Sequence, residues 1–252
     1  MTEPLISVIM PAYNADRFIA EAIRSVQGQT HQNWELLVLD DGSVDDTCPV
    51  VAEIAREDPR IRLIKNEKNM GVARTRNRGF DLCKGQYIAL LDADDLWQPE
   101  KLSRQLELLE KSGADLVYCS YGIIDVRGEA CCHDFIVPEE TCFESALVRQ
   151  VISCSTALLR SALVQNNRFP TEYYHEDLVF WLQLLKAGYV ARGCVEVLAS
   201  YRISAGARAS NKGKSALNRW RVYRDCLKIP FFRRLRVFAG YALQGLKKYR
   251  SR

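Results

Sequence analysis

Residues 85–95 read GQYIALLDADD, a strand-like apolar run over Gln86–Leu91 that stops abruptly on three acids in four positions. Short unbroken apolar runs bounded by polar punctuation fit strands buried on both faces, as in a parallel sheet. The same figure recurs three times upstream. Ile6–Met10 runs into Pro11-Ala12-Tyr13-Asn14, Trp34–Leu39 into Asp40-Asp41-Gly42-Ser43, and Ile61–Ile64 into Asn66 and the basic stretch from Asn69 to Arg78. Between these runs the apolar residues change period. Ile19, Ala22, Ile23 and Val26 fall on one helical face, a second helix is expected around Val50 to Ala55, a third from Gly71 to Cys83, and Leu102, Leu106 and Leu109 mark a fourth. Strand alternating with helix predicts an α/β fold, a Rossmann-like and mostly parallel central sheet flanked by helices. In such sheets ligands bind at the carboxyl ends of the strands, which is where the polar residues collect here.

After Asp115 the pattern loosens. Leu116–Ile124 reads as a strand, 126–141 as a polar loop, Phe143–Val151 and Ser161–Asn166 as short helices, Glu176–Ala187 as a helix and Val195–Ile203 as a last strand. The small polar stretch AGARASNKGK, 205–214, reads as a linker before two basic helices separated at Pro230. The expected division is a body of residues 1–205, with a nucleotide-binding half of about 1–115 and an acceptor half of about 116–205, followed by a basic amphipathic helical tail, 206–252.

Charge separates the two parts. The net charge of +4 conceals fourteen Lys or Arg against the single acid Asp225 between Arg208 and Arg252, whereas the preceding 207 residues carry 21 basic and 30 acidic side chains. In the tail Phe231, Leu235, Phe238, Ala242, Leu246 and Tyr249 recur at helical spacing, with Arg233, Arg236 and Lys247 on another face, the pattern of an interfacial helix. The tail is therefore expected to meet an anionic membrane surface, and a chain ended near Ala207 to keep its fold. A nucleic-acid partner is not expected, because the body carries no matching groove signal.

Composition excludes several classes. With 48% hydrophobic and 26% charged residues the chain is neither disordered nor a polytopic membrane protein. No run approaches the ~20 uncharged residues of a spanning helix, and MTEPLISVIMPAYN has no basic segment before its apolar run, so it reads as a strand and not a signal peptide. Nine cysteines, odd in number and never spaced CxxC, read as reduced thiols; Cys131-Cys132-His133 lacks a second ligand pair for zinc. A cytoplasmic protein, peripherally held at the inner face of the cell membrane, is the expected setting. Neither G-x-G-x-x-G nor G-x-x-x-x-G-K-[ST] occurs, so a bound phosphate would lean on a carboxylate-held cation and a basic side chain. Asp92 and Asp94, two apart on an extended segment, would share a face and suit a hard divalent cation, magnesium or manganese.

The segments SVIMPAYNADRFIAEAIRSVQGQTHQNWELLVLDDGSVDDT (7–47), NMGVARTRNRG (69–79), GQYIALLDADDLWQPEKL (85–102) and HEDLVFWLQLLKAG (175–188) resemble the successive motifs of the family 2 inverting glycosyltransferases of GT-A fold. The resemblance covers about residues 5–203, and the whole chain looks like small bacterial enzymes that build surface polysaccharides. It implies that Pro11, Ala12, Tyr13 and Asn14, with Asp40 or Asp41, hold the base of a UDP-sugar, a carboxylate accepting the uracil N3–H. It further implies Arg76 at the diphosphate, Asp92 and Ala93 at the ribose, Asp94 at the metal and Asp177 as general base. Glu176, Trp97 and Trp181 stand as possible acceptor or sugar contacts, the tryptophans having core packing as their alternative. Two features depart from the family. No histidine follows Tyr201-Arg202, where a third metal ligand often stands, and the Q-x-x-R-W signature of processive members is absent, which favours transfer of one sugar. The implied partners are a UDP-sugar and a polyprenyl-diphosphate-linked glycan. A sugar-nucleotide-forming nucleotidyltransferase would need a Gly-rich basic loop where PAYNADR stands, and a non-catalytic membrane-bound scaffold would not need Asp92, Asp94 and Asp177.

Overall fold

In the computed structural model, which describes residues 3–203 and 212–250 and the side chains of these except 212, 214 and 244–250, the first half is a regular alternation. Its elements are β1 (Ile6–Ala12), α1 (Ile19–Gln27), β2 (Trp34–Asp40), α2 (Thr47–Glu57), β3 (Ile61–Lys65), α3 (Val72–Leu82) and β4 (Tyr87–Leu90). The strands lie side by side and parallel in the order β3-β2-β1-β4. Every residue of β1 and β2 is buried because both sheet faces are covered. The two-residue period sorts them into two cores: Ile9, Leu37 and Leu39 join one cluster, and Ile6, Val8, Met10, Leu36 and Val38 the other.

The second half is mixed. It runs β5 (Leu96–Trp97), α4 (Lys101–Ser112), β6 (Leu116–Ile124), β7 (Ala130–Phe135), β8 (Glu140–Thr141), α5 (Phe143–Val148), a 3-10 turn (Cys154–Thr156), β9 (Ala157–Arg160), α6 (Ser161–Asn166), α7 (Glu176–Lys186) and β10 (Ala191–Arg202). β9 sits antiparallel between β4 and β6, β6 is parallel to β10, and β5 and β8 are antiparallel to β10. The stretch 126–141 is not a plain loop. It holds β7, which turns back on β6 through the Asp125–Gly128 turn, and β8. β7 is polar because its side chains face solvent, which removed the apolar signal that marks a strand.

Beyond the linker, α8 (Lys212–Arg221) passes through a π-helical turn (Val222–Cys226), and α9 spans Phe231–Arg250. Val222, Tyr223, Leu227, Ile229 and Val237 lie in the same buried cluster as Leu178 to Leu185 of α7. Tyr223 and Arg219 both donate to the Leu147 carbonyl, and Lys186 Nζ donates to the Leu227 carbonyl at 2.9 Å. The apolar stripe read as one face of α9 is divided: Phe238 turns inward onto Trp220 and Tyr241, while Phe231, Phe232, Leu235 and Leu243 are exposed. Residues 212–214, expected as the end of the linker, are the start of α8; residues 205–211 of the linker, the 205/206 boundary, and the side chains of Leu246 and Tyr249 lie outside the described residues. Among the described residues, no helix is long and apolar enough to cross a membrane.

Candidate active site

The carboxyl ends of β1, β2 and β4 open into a cavity of about 1240 Å³, closed on its far side by the start of α7 and by α8 and α9. Of the residues singled out in the sequence, all but Asp40, Trp97 and Trp181 line it.

At one end, β1 runs into Asn14, whose φ of 50° turns its side chain to accept from Val44 N at 3.0 Å while its own N–H donates to Ser43 Oγ at 2.9 Å. Gly42 makes the turn after β2 at φ 79°, where a Cβ would stand 2.9 Å from Asn69 N. The turn separates the two acids left open by the sequence. Asp40 folds back to accept from the N–H groups of Gly42 and Ser43, whereas Asp41 lines the cavity and accepts from Met70 N, Gly71 N and Asn66 Nδ2, each at 2.8 Å. Tyr13 stands half exposed beside it.

The floor is Arg76. Of the three arginines in α3, Arg74 is exposed, Arg78 donates to the Lys65 carbonyl, and Arg76 alone is buried and faces the cavity. Its guanidinium bridges Asp92 at 2.6 Å and Glu176 at 2.9 Å, and its Nε has no partner. Asp92–Asp95 is a turn and not an extended segment, with Asp95 N donating to the Asp92 carbonyl at 3.1 Å. Asp92 and Asp94 nonetheless both reach the cavity. Asp95 is fully buried, accepting from Ser155 Oγ at 2.5 Å and Arg202 N at 2.9 Å. Arg202 also donates through Nε to the Asp94 carbonyl at 2.8 Å and pairs with Glu21 at 2.7 Å. Burial, and secondarily the Asp92 carboxylate, push the Asp94 carboxyl up to about 6.

At the other end α7 begins with Glu176 and Asp177. Glu176 spends its charge on Arg76, so the two acids divide: the Asp177 carboxylate instead accepts from Gln150 Nε2 at 2.8 Å. Asp177 stands in the first turn of α7. Trp97 and Trp181 are corrected to the cores: both are at most 5% exposed, and the Trp97 indole donates to the Ser155 carbonyl. Their aromatic faces are covered, which leaves none for a sugar. Gln150, Ser155, Arg202 and Arg219 are site residues that the sequence did not disclose; only the Tyr201-Arg202 pair drew notice, as a landmark.

Among the described residues, no group of three or more His, Cys, Asp or Glu could hold a metal by itself. What the turn offers is one or two carboxylates, with Asp94 resisting ionisation because of its burial and the neighbouring Asp92. That donor set fits a hard cation that takes its remaining ligands from phosphate oxygens and water.

A parallel α/β half with an acidic turn at the end of β4, completed by a mixed half, is the GT-A fold of glycosyltransferases. The mannosyltransferase PcManGT from Pyrobaculum calidifontis, solved with GDP-Man and Mn2+, aligns with a TM-score of 0.72 over 91% of this chain and 66% of that one, at 18% identity. The Glycosyl transferase family 2 profile matches residues 7–131. TuaG of Bacillus subtilis, whose name places it in teichuronic acid biosynthesis, is 34% identical over 98% of both chains. WfgD of Escherichia coli, a UDP-Glc:α-D-GlcNAc-diphosphoundecaprenol β-1,3-glucosyltransferase, is 35% identical over 99% of this chain and 96% of its own. The chain belongs to Glycosyl transferase family 2.

Proposed function

We propose that the protein transfers one sugar from a UDP-sugar, with inversion, to a polyprenyl-diphosphate-linked glycan in the assembly of a bacterial surface polysaccharide. The observation that carries the reading is that Asp177, Arg76 and the Asp92–Asp95 turn share one cavity with Tyr13 and Asp41. The names of TuaG and WfgD support the polysaccharide setting, and that of WfgD the donor and the lipid-linked acceptor.

Asp41 and Tyr13 hold the base, with Pro11, Ala12 and Asn14 shaping that end; Asp92 and Ala93 meet the ribose. Asp177 takes the proton of the acceptor hydroxyl as its oxygen attacks the anomeric carbon, while the bond from that carbon to the diphosphate breaks and UDP leaves with the electron pair. Gln150 holds one Asp177 oxygen and so orients the other. Arg76, fixed by Asp92 and Glu176, keeps its Nε–H to donate to a diphosphate oxygen. Manganese or magnesium held by Asp94 would neutralise the leaving diphosphate. Family membership sets aside nucleotidyl transfer.

The outer face of α9, where Phe232, Leu235 and Leu243 are exposed together with Arg236, is the part of the tail suited to an anionic leaflet, Arg233 being paired with Glu144. Each cation near such a surface contributes about 1 kcal/mol. The reading places the enzyme at the cytoplasmic face of the membrane, where a lipid-linked acceptor is within reach.

The test is incubation with a panel of UDP-sugars, manganese and a synthetic sugar-diphosphate-prenol, with the product's anomeric configuration read by NMR. One added sugar of inverted configuration is expected. Retention, or a polymer, overturns the mechanism or the single transfer.

A further inference from the structure

Three arginines are buried among the described residues: Arg76, Arg202 and Arg219. Arg76 has Asp92 and Glu176, and Arg202 has Glu21. Arg219, only 6% exposed, has no carboxylate among the described residues; it donates to the Leu147 carbonyl at 2.8 Å and to Tyr223 Oη at 3.3 Å, and lies 4.3 Å from the Tyr241 ring centre. A buried cation without a counter-ion is costly, and a carbonyl, a hydroxyl and an aromatic face offset only part of that cost. Arg219 is not sealed in: it lines the same cavity as Asp177 and the Asp92–Asp95 turn.

We propose that Arg219 is an anion-binding residue of the acceptor side, and that the anion it takes is the diphosphate joining the acceptor glycan to its lipid. The inference rests on the glycosyl-transfer reading above and deepens it. Position separates this anion from the donor's. The carbonyl that Arg219 holds belongs to Leu147, three residues before Gln150, and Gln150 holds Asp177. Arg219 is thus tied to the segment whose Gln150 holds the base, whereas the donor diphosphate lies over Arg76 at the β4 end. Its neighbours in the cavity wall also suit a lipid-linked group. Phe238 and Ala242, both on α9, stand beside it, and the same helix exposes Leu235 and Leu243 on its outer side. A guanidinium fork suits a diphosphate better than a lysine would, because two parallel N–H groups can meet two oxygens at once.

The experiment compares two soluble acceptors with the same sugar and alkyl chain, one joined through a diphosphate and one as a neutral glycoside. The full-length enzyme is expected to favour the diphosphate acceptor by about 10–100-fold in kcat/KM, the worth of a charge-assisted pair. Arg219→Gln should collapse that ratio toward unity, chiefly through the acceptor KM, Arg219→Lys should recover part of it, and UDP affinity by calorimetry should stay as it was. Because Arg219 also holds the Leu147 carbonyl, a measurement without mutation stands beside these. With the UDP-sugar saturating the donor site, an alkyl diphosphate lacking sugar should inhibit the wild type competitively against acceptor. Equal rates on both acceptors, no inhibition, or a parallel loss of UDP affinity in Arg219→Gln overturns the proposal while leaving glycosyl transfer standing. No transfer by the wild type to either acceptor, from any UDP-sugar, overturns the underlying reading instead.

Discussion

Gln150 donates its side-chain amide to Asp177 across 2.8 Å, joining the segment after α5 to the first turn of α7. The contact leaves one carboxylate oxygen for an acceptor hydroxyl. Asp177→Asn keeps the shape and an acceptor for Gln150, so it should fold normally, bind UDP within about twofold of wild type, and lose ~10²–10⁴ in kcat. Gln150→Met should cost less, about 3–30-fold in kcat, since it removes orientation and not the base. Steady-state kinetics with calorimetry of UDP binding checks both; an Asp177→Asn enzyme of normal kcat would leave Asp177 as a helix-start residue only.

Asp94→Asn should sever metal from nucleotide. In the wild type, chelation is expected to stop turnover, manganese to restore it, and UDP to bind more tightly with the cation than without. In the variant, UDP titrations with and without manganese should coincide. A variant that keeps the wild-type metal dependence places the cation elsewhere.

Arg76 pairs with two carboxylates, of which Glu176 is the more deeply buried. Arg76→Met takes the guanidinium away from the buried Glu176 and from Asp92, a loss of ~3–5 kcal/mol, or on the order of 10 °C in Tm for a chain of this size. Adding Glu176→Gln should return part of that stability. Melting curves of the two single variants and the double variant give the coupling; simple additivity would show that the pair does not act as one.

Lys101 is fully buried, with Nζ 4.0 Å from the Trp97 ring centre and 2.6 Å from Gln105 Oε1, and burial pushes its pKa down from 10.5 to about 8. Below pH 8 both folded and unfolded chains hold the proton, and the cost of burying the charge is carried in full. Between about 8 and 10.5 the folded chain releases it while the unfolded chain keeps it, so stability should rise with pH by up to ~3 kcal/mol. The buried thiols, whose pKa burial raises, lower stability over the same range in both proteins, so urea melts from pH 7 to 10.5 should show the wild type gaining on Lys101→Met as pH rises.

Because the inner face of the C-terminal segment carries Val222, Tyr223, Leu227, Ile229 and Val237 into the main core, a chain ended near 207 loses core and should melt well below the full protein. The expectation that such a chain keeps its fold gives way to this one. Phe232→Ser with Leu243→Ser touches only the outer face. That double variant should keep its Tm and cease to sediment with anionic vesicles at low salt, where the attraction is least screened. Unchanged sedimentation would detach the membrane from this face.

β1, β2 and β4 were legible because each is an apolar run buried on both sides, and the edge strand β3 because Ile61, Leu63 and Ile64 still stand out in it; the polar ends of the four marked the cavity before any coordinates did. β5, β8 and β9 are two to four residues long, too short for a period to show, and β7 faces water. Asp41 was separable from Asp40 only by the turn at Gly42. Gln150 and Arg219 stayed hidden for another reason: what gives each its place lies 27 residues away in Asp177 or 72 away in Leu147, and local sequence carries no trace of such a contact.

Arg202 closes the acidic turn from far along the chain, its N–H reaching Asp95 across 107 residues and its guanidinium reaching Glu21 across 181. During synthesis β1, β2, β3 and β4 can pair as soon as they emerge, since their partners are near neighbours in the chain. The turn after β4 cannot be clamped until the ribosome has read through residue 202, and until then Asp94 and Asp95 lack this arginine. The nascent protein therefore completes the β1 and β2 end of the cavity before the acidic turn at its β4 end is clamped, and contacts of such long separation are also the slow ones to form.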